Sequence, residues 1–162
     1  MRLMATLSGI LLIVVFLLIP CFGTSEDLSQ KIKEGRDLHL KILARYKSIE
    51  KSYHEPFIHG AATSNPLCCI AVPLKDWESL ADEKKQTLAA YAASLVNEVK
   101  ANPFKYTGIN PNAPAAKVIR ANVAKMTDNS WGIMAGNITP NGRDITSDKI
   151  VRLTDPRNSN HP

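Results

Sequence analysis

The chain has 162 residues, of which 44% are hydrophobic and 22% charged, and its formal net charge is +5. This length is enough for one domain that buries a sizeable core. The basic excess is confined to residues 101–162, which contain eight Lys or Arg and four Asp or Glu. Nucleic-acid binding usually requires a denser stripe of positive charge, so we expect no nucleic-acid partner.

Residues 1–23 have the three-part pattern of a secretory signal peptide. Arg2 precedes an uncharged run, residues 3–22, whose most apolar part is ILLIVVFLLI. Pro20 breaks this run, and the small residue Gly23 stands where a signal peptidase cuts. We therefore expect cleavage after Gly23 and export of a single domain over residues 24–153. Residues 154–162 are predicted to be a flexible tail.

Two alternatives remain for the N-terminal segment. Residues 3–22 are just long enough to span a bilayer, so an uncleaved anchor that holds the domain outside the cytoplasm is the first. The sequence LIPC resembles a lipoprotein signal with Cys21 as the lipidated residue, although Pro20 stands where that signal has Gly, Ala or Ser. All three interpretations place the domain outside the cytoplasm, in the periplasm, secreted or at a membrane.

The first predicted element is an amphipathic helix from Ser25 to Tyr53. Ser25 or Thr24 can cap it, and Gly35 is a weak point within it. Its apolar residues recur at steps of three or four, and they are Leu28, Ile32, Leu38, Ile42, Leu43, Tyr46, Ile49 and Tyr53. This stripe must pack on the domain or on a second subunit, so a homodimer through the first helix is one expectation.

A loop over residues 54–66 leads to a short apolar run, Cys68 to Val72, which predicts a buried or edge strand closed by Pro73. A second helix is predicted over residues 79–100. Ser79 and Asp82 have the spacing of a capping box at its start. Prolines exclude regular structure over residues 101–114. The segment 115–126 favours a helix that Asn112 caps, although strand alternation also fits.

The C-terminal part predicts a β-hairpin, because Asn141-Gly142 is a strong signal for a tight turn. The apolar residues after this turn do not alternate cleanly, which indicates a bulge or a late strand start. Together the elements predict an α+β domain in which two or three helices pack on a small antiparallel sheet that includes this hairpin.

Cys68 and Cys69 are adjacent, and they are the only thiols left if the signal is removed. They can be buried as small apolar residues, one of them can form an intermolecular disulfide, or they can be a strained vicinal pair or a reactive thiol. His54 and His59 are the loop histidines that a cysteine nucleophile would need nearby. Their spacing of five, with Pro56 between them, does not match a helical zinc motif.

These four residues are the candidate catalytic set, although none lies in a recognisable catalytic motif. The sequence has no haem-attachment motif, no Gly-rich phosphate loop and no nucleophile elbow, so we predict no cofactor and no metal. Candidate contacts to an anionic membrane or cell-wall surface are the basic residues of the C-terminal third: Lys117, Arg120, Lys125, Arg143, Lys149 and Arg152.

The sequence therefore favours a small exported, non-enzymatic binding or accessory protein of the cell envelope, with an envelope component or a protein as its partner. Its expected interaction surfaces are the first helix and the basic C-terminal third. The alternative is a thiol-dependent or hydrolytic exported enzyme that uses Cys68 or Cys69 with a loop histidine.

Overall fold

A computed structural model describes residues 25–157, so the predicted signal peptide or anchor and residues 158–162 of the predicted tail lie outside the described residues. The α-helices in this range are α1 (Ser25–Leu43), α2 (Leu74–Ser79), α3 (Asp82–Ser94), α4 (Val96–Ala101), α5 (Pro103–Thr107) and α6 (Ala116–Val123). The strands are β1 (Phe57–His59), β2 (Leu67–Pro73), β3 (Trp131–Gly136) and β4 (Lys149–Val151), and a 3-10 helix spans Lys51–His54. The predicted α+β class is confirmed.

The four strands form one sheet in the order β1-β2-β3-β4. Both outer pairs are antiparallel, and β3 with β4 is the expected C-terminal hairpin. The central pair, β2 with β3, is parallel, so the sheet is mixed rather than wholly antiparallel as predicted. The reason is the helical connection from α2 to α6, which carries the chain back to the starting edge of β2 before β3 begins.

The first helix ends earlier than its apolar stripe suggested. α1 stops at Leu43, whereas the prediction continued to Tyr53. The apolar residues beyond the helix are still covered, but they pack against the other face of the sheet in a cluster with Ala71 and Met134. The stripe is therefore shared between two faces of the sheet, and this requires the chain to leave the helix.

The predicted second helix is divided into two helices, α3 and α4, and its first residue, Ser79, belongs to α2. Leu80 is extended, with ψ of 138°, and separates α2 from α3, while Leu95 separates α3 from α4. The predicted capping box is wrong, because Ser79 is the last residue of α2 and its hydroxyl donates to the carbonyl of Asp76. Ala81 occupies the N-cap of α3 without a side-chain hydrogen bond.

Two further segments differ in detail from their predictions. The segment that was expected to be irregular contains α5, which begins at Pro103, a residue well suited to the first turn of a helix. The helix predicted over 115–126 is confirmed as α6, but Ala115 rather than Asn112 is its N-cap residue.

The hairpin turn lies where the Asn-Gly signal placed it. Gly142 has φ of +71°, and its N–H donates to the carbonyl of Thr139 at 2.8 Å. From the pair Ala135–Lys149 to the bridge Ile138–Ile145, the β3 side of the hairpin advances three residues, whereas the β4 side advances four. The expected bulge and the late strand start are therefore both present.

Apolar residues cover both faces of the sheet. The larger cluster joins α1, α3, α4 and α6 to one face and includes Ile70, Trp131 and Ile133. The smaller cluster covers the other face with the segment after α1 and the hairpin. No helix between residues 25 and 157 has the length and apolar character needed to cross a bilayer.

Candidate functional site

Both candidate nucleophiles are buried in the central strand β2. Cys68 and Cys69 are each 0% exposed and free of any disulfide. Because adjacent strand residues face opposite ways, Cys68 joins the larger core, whereas Cys69 lies on the other face near Gly132. This arrangement agrees with the interpretation that both are small apolar core residues.

Burial is also the main influence on the acidity of the two thiols. It raises the pKa of Cys68 far above the ordinary range, with smaller contributions from Cys69 and Glu98. It raises the pKa of Cys69 to about 12, although Arg152 and the backbone N–H of His59 act in the opposite direction. No histidine side chain is among the groups that influence either pKa, so the described residues contain no paired thiol and imidazole.

Within residues 25–157, neither candidate histidine lies in a catalytic or metal-binding arrangement of side chains. His54 ends the 3-10 helix and borders a groove of about 550 Å³ beside the end of α1, together with Tyr46 and Lys51. His59 is the exposed last residue of β1. Within residues 25–157, no group of three His, Cys, Asp or Glu side chains is arranged to hold a metal ion.

His39 is buried, which the sequence interpretation did not predict. Its Nε2–H donates to the carbonyl of Ala71 in β2 at 2.9 Å, and its buried Nδ1 has no hydrogen-bond partner among the described residues. Burial lowers the pKa of His39 to about 4, partly opposed by the Ala71 hydrogen bond and reinforced by His54. A signal existed, because residues 35 and 39 continue the three- and four-residue steps between Ile32 and Ile42.

Acid should therefore destabilise the protein through His39. The folded-state pKa of about 4 lies below the ordinary 6.5, so the unfolded chain takes up a proton first as the pH falls. The stabilisation is complete above the unfolded-state pKa and shrinks by about 3 kcal/mol as the pH falls through the folded-state value. Urea unfolding of wild type and His39→Gln at neutral and acidic pH measures this loss of stability. The loss should be smaller in the variant, because Gln keeps a donor for Ala71 but does not titrate.

The change His59→Gln provides the control for that experiment, because His59 is exposed. This variant should keep the wild-type dependence of unfolding free energy on pH, which also contains the titration of carboxylates. The role given to His39 would be wrong if His39→Gln kept the full wild-type dependence.

A second polar cluster that the sequence did not predict holds the chain segment that follows α1. Asp76 is buried, accepts a hydrogen bond from the hydroxyl of Tyr46 and lies 2.5 Å from Nη2 of Arg45. Burial, followed by the Asp76 contact, raises the pKa of Tyr46 to about 12. Nothing local in the sequence around Asp76 indicates these partners, which lie about thirty residues earlier. The cluster holds the turn against α2.

The six candidate basic residues differ in the partners that they contact. Arg143 pairs with Glu50 at 2.7 Å, and Lys149 lies 3.7 Å from Glu78, so acids neutralise these two. The guanidinium of Arg120 lies over the ring of Phe104 at 4.9 Å. The remaining residues, Lys117, Lys125 and Arg152, have no ion pair within residues 25–157.

Three of these cations lie on α6 or in the turn that directly follows it. We call the exposed residues here the α6 face, and they are Lys117, Val118, Arg120, Ala121, Ala124 and Lys125. Val118 is 51% exposed, which is unusual for a large aliphatic side chain in this domain. No Asp or Glu occurs in the sequence from residue 99 to residue 127. The α6 face is therefore cationic without neighbouring acids in its own segment.

Lys125 also borders a polar cleft at one end of the sheet. The cleft has a volume of about 400 Å³. Its lining residues are Ser64, Asn65, Pro66, Leu67, Lys125, Met126, Thr127, Asn129, Ser130 and Arg152. The structure thus brings together Lys125 and Arg152, two candidate residues that sequence spacing had not paired.

Comparison with protein-family models, with curated proteins and with solved structures gave no significant match. The function must therefore be inferred from the physical chemistry of the chain.

Proposed function

We propose that this protein is a small exported, non-enzymatic binding or accessory protein of the cell envelope, and that the α6 face attaches it to an anionic bilayer. The signal-like residues 1–23 support export. The observation that carries the binding role is the exposed cationic α6 face in a segment without acids.

Buried thiols support a non-enzymatic role. A cysteine nucleophile acts as a thiolate and needs a base within hydrogen-bond reach. Here burial raises both thiol pKa values, and no histidine side chain influences them. The apolar stripe of the first helix packs within the domain, because Ile32, Leu38 and Ile42 contact the larger core. These three residues are therefore not a free surface for a second subunit.

Charge complementarity supports a bilayer as the occupant of the α6 face. Basic side chains are attracted to anionic headgroups over roughly one Debye length, and added salt weakens this attraction. Val118 and the exposed alanines give the face a small apolar centre that headgroups can approach closely. The binding is therefore expected to be reversible, dependent on salt and selective for anionic lipid.

The expected result is that the pair of changes Lys117→Gln and Arg120→Gln weakens binding to vesicles that contain anionic phospholipid by roughly thirtyfold. Cosedimentation of the protein, purified after expression of the full chain, measures this on neutral and on anionic vesicles at low and high salt. Wild-type protein should bind the anionic vesicles at low salt and lose most of that binding at high salt.

A matched control removes the same charge elsewhere. Arg143→Gln with Lys149→Gln lowers the net charge equally, but at residues that Glu50 and Glu78 already neutralise. This control should bind within about threefold of wild type, since it spares the α6 face. Equal losses in both double variants, or equal binding to neutral vesicles, would contradict attachment through the α6 face.

A further inference from the structure

We propose that the cleft between Lys125 and Arg152 is a binding site for a phosphate monoester. The site does not depend on attachment of the α6 face to a bilayer. It would give the protein a specific small ligand in addition to a charged surface.

The topology of the sheet explains how the cleft is assembled. Because β2 and β3 are parallel, their starting ends lie at the same edge, and β4 is antiparallel to β3, so its final end meets that edge too. The three lining segments are the loop before and into β2 (64–67), the turn before β3 (125–130) and Arg152, which directly follows β4. Chain segments about sixty residues apart therefore converge on one cleft.

The charge in the cleft favours a dianionic group. Lys125 and Arg152 line it, and within residues 25–157 no acidic side chain does. The acids nearest in sequence to Lys125 and Arg152 are Asp128 and Asp155. Both pair with Arg157, which lies 2.7 Å from Asp155 and 3.6 Å from Asp128. The two lining cations are therefore available to a ligand.

The fold constrains the Arg152 side chain and the turn that carries Lys125. Arg152 donates through Nη2 to the carbonyl of Asn129, which leaves other guanidinium N–H groups for a ligand. The turn that carries Lys125 is held by Lys100, whose ammonium donates to the carbonyl of Met126 at 2.7 Å. A guanidinium that is already held, as that of Arg152 is, loses less conformational entropy on binding than a free surface side chain does.

Neutral donors complete a set suited to several phosphate oxygens. The hydroxyl oxygen of Ser130 accepts from the N–H of Thr127 at 2.9 Å, so its own hydrogen remains free to donate. Ser64 and Asn65 also line the cleft. An arginine fork beside a lysine and hydroxyl donors matches the three terminal oxygens of a monoester better than the two of a carboxylate. The cleft also has room for a small polar group beyond the phosphate.

Titration by heteronuclear NMR at constant ionic strength tests the site with defined probes: inorganic phosphate, glycerol phosphate and acetate. The protein is again purified after expression of the full chain. Glycerol phosphate and inorganic phosphate should shift the backbone amides of residues 127–130 in a saturable way, with acetate at least tenfold weaker. We expect Lys125→Met, which breaks no contact within the described residues, to weaken phosphate binding about tenfold.

Other variants distinguish this site from the bilayer proposal. Lys117→Met removes an equal charge from the α6 face outside the cleft, so it should leave phosphate binding unchanged. Arg152→Lys keeps the charge but loses the fork, and should weaken phosphate more than acetate. Thermal unfolding establishes that each variant is folded. Absence of saturable shifts, equal binding of acetate, or equal losses in Lys117→Met and Lys125→Met would overturn the site, whatever the vesicle result.

Discussion

Replacing Gly35 with alanine should destabilise the protein by about 3 kcal/mol or more, although the same change in an exposed helix stabilises by about 1 kcal/mol. A Cβ atom at position 35 would lie 1.9 Å from the carbonyl oxygen of Thr87 and 2.9 Å from Cβ of Tyr91. The first contact is with backbone, so no side-chain rotation relieves it. α1 would have to move away from α3, its most extensive helical neighbour.

Gly108→Ala is the matched control for this experiment. An alanine Cβ at position 108 meets nothing within 4 Å, but φ of +65° makes it strained. That strain costs about 1–2 kcal/mol. Thermal unfolding should therefore give a clearly lower Tm for Gly35→Ala, by about 10 °C relative to wild type. A Gly35→Ala protein as stable as Gly108→Ala would show that the helices separate easily.

The sequence patterns that were confirmed are local ones. The apolar run of β2 and the Asn-Gly turn each depend on a few adjacent residues, and both elements are where those residues placed them. The segment before β3 also forms a helix, because the spacing of Ile119 and Val123 suits one buried face of α6. Local propensity and burial agree in these three elements, although strand alternation also fitted the sequence of the α6 segment.

Helix ends and strand direction were not accessible from the sequence in the same way. The apolar stripe of α1 continues beyond Leu43 without a break, yet the chain turns there to cover the second face of the sheet. Whether β3 runs parallel or antiparallel to β2 depends on where the intervening helices return the chain. These are properties of the whole fold, which local periodicity does not contain.

The candidate sites show the same difference between local sequence information and properties of the whole fold. Cys68 and Cys69 stood out because of their rarity, but rarity does not distinguish a reactive thiol from a buried one. Lys125 and Arg152 were expected only as members of a basic region. Their meeting in one cleft depends on the parallel pairing of β2 with β3, which the sequence did not predict.

Native protein should leave both of these cysteines unlabelled by a small thiol reagent, while unfolded protein should be labelled at both. Each sulfur belongs to a residue that is 0% exposed, so a reagent needs the sheet to open. Burial also raises the pKa of Cys69 to about 12. At mildly alkaline pH this lowers the thiolate fraction by roughly a thousandfold relative to a free cysteine. Intact mass and peptide mapping after timed labelling, with and without denaturant, measure the protection.

A cysteine introduced at an exposed position supplies the reference rate. Ser147 lies in the exposed segment before β4, so Ser147→Cys should label rapidly in the native protein while Cys68 and Cys69 do not. The comparison also bears on the alternative function, because a nucleophilic thiol must be reached by its substrate. Labelling of Cys68 or Cys69 in native protein at a rate near that of Ser147→Cys would contradict the core role and favour the thiol-dependent enzyme. Full protection would leave that enzyme without an accessible nucleophile at either cysteine.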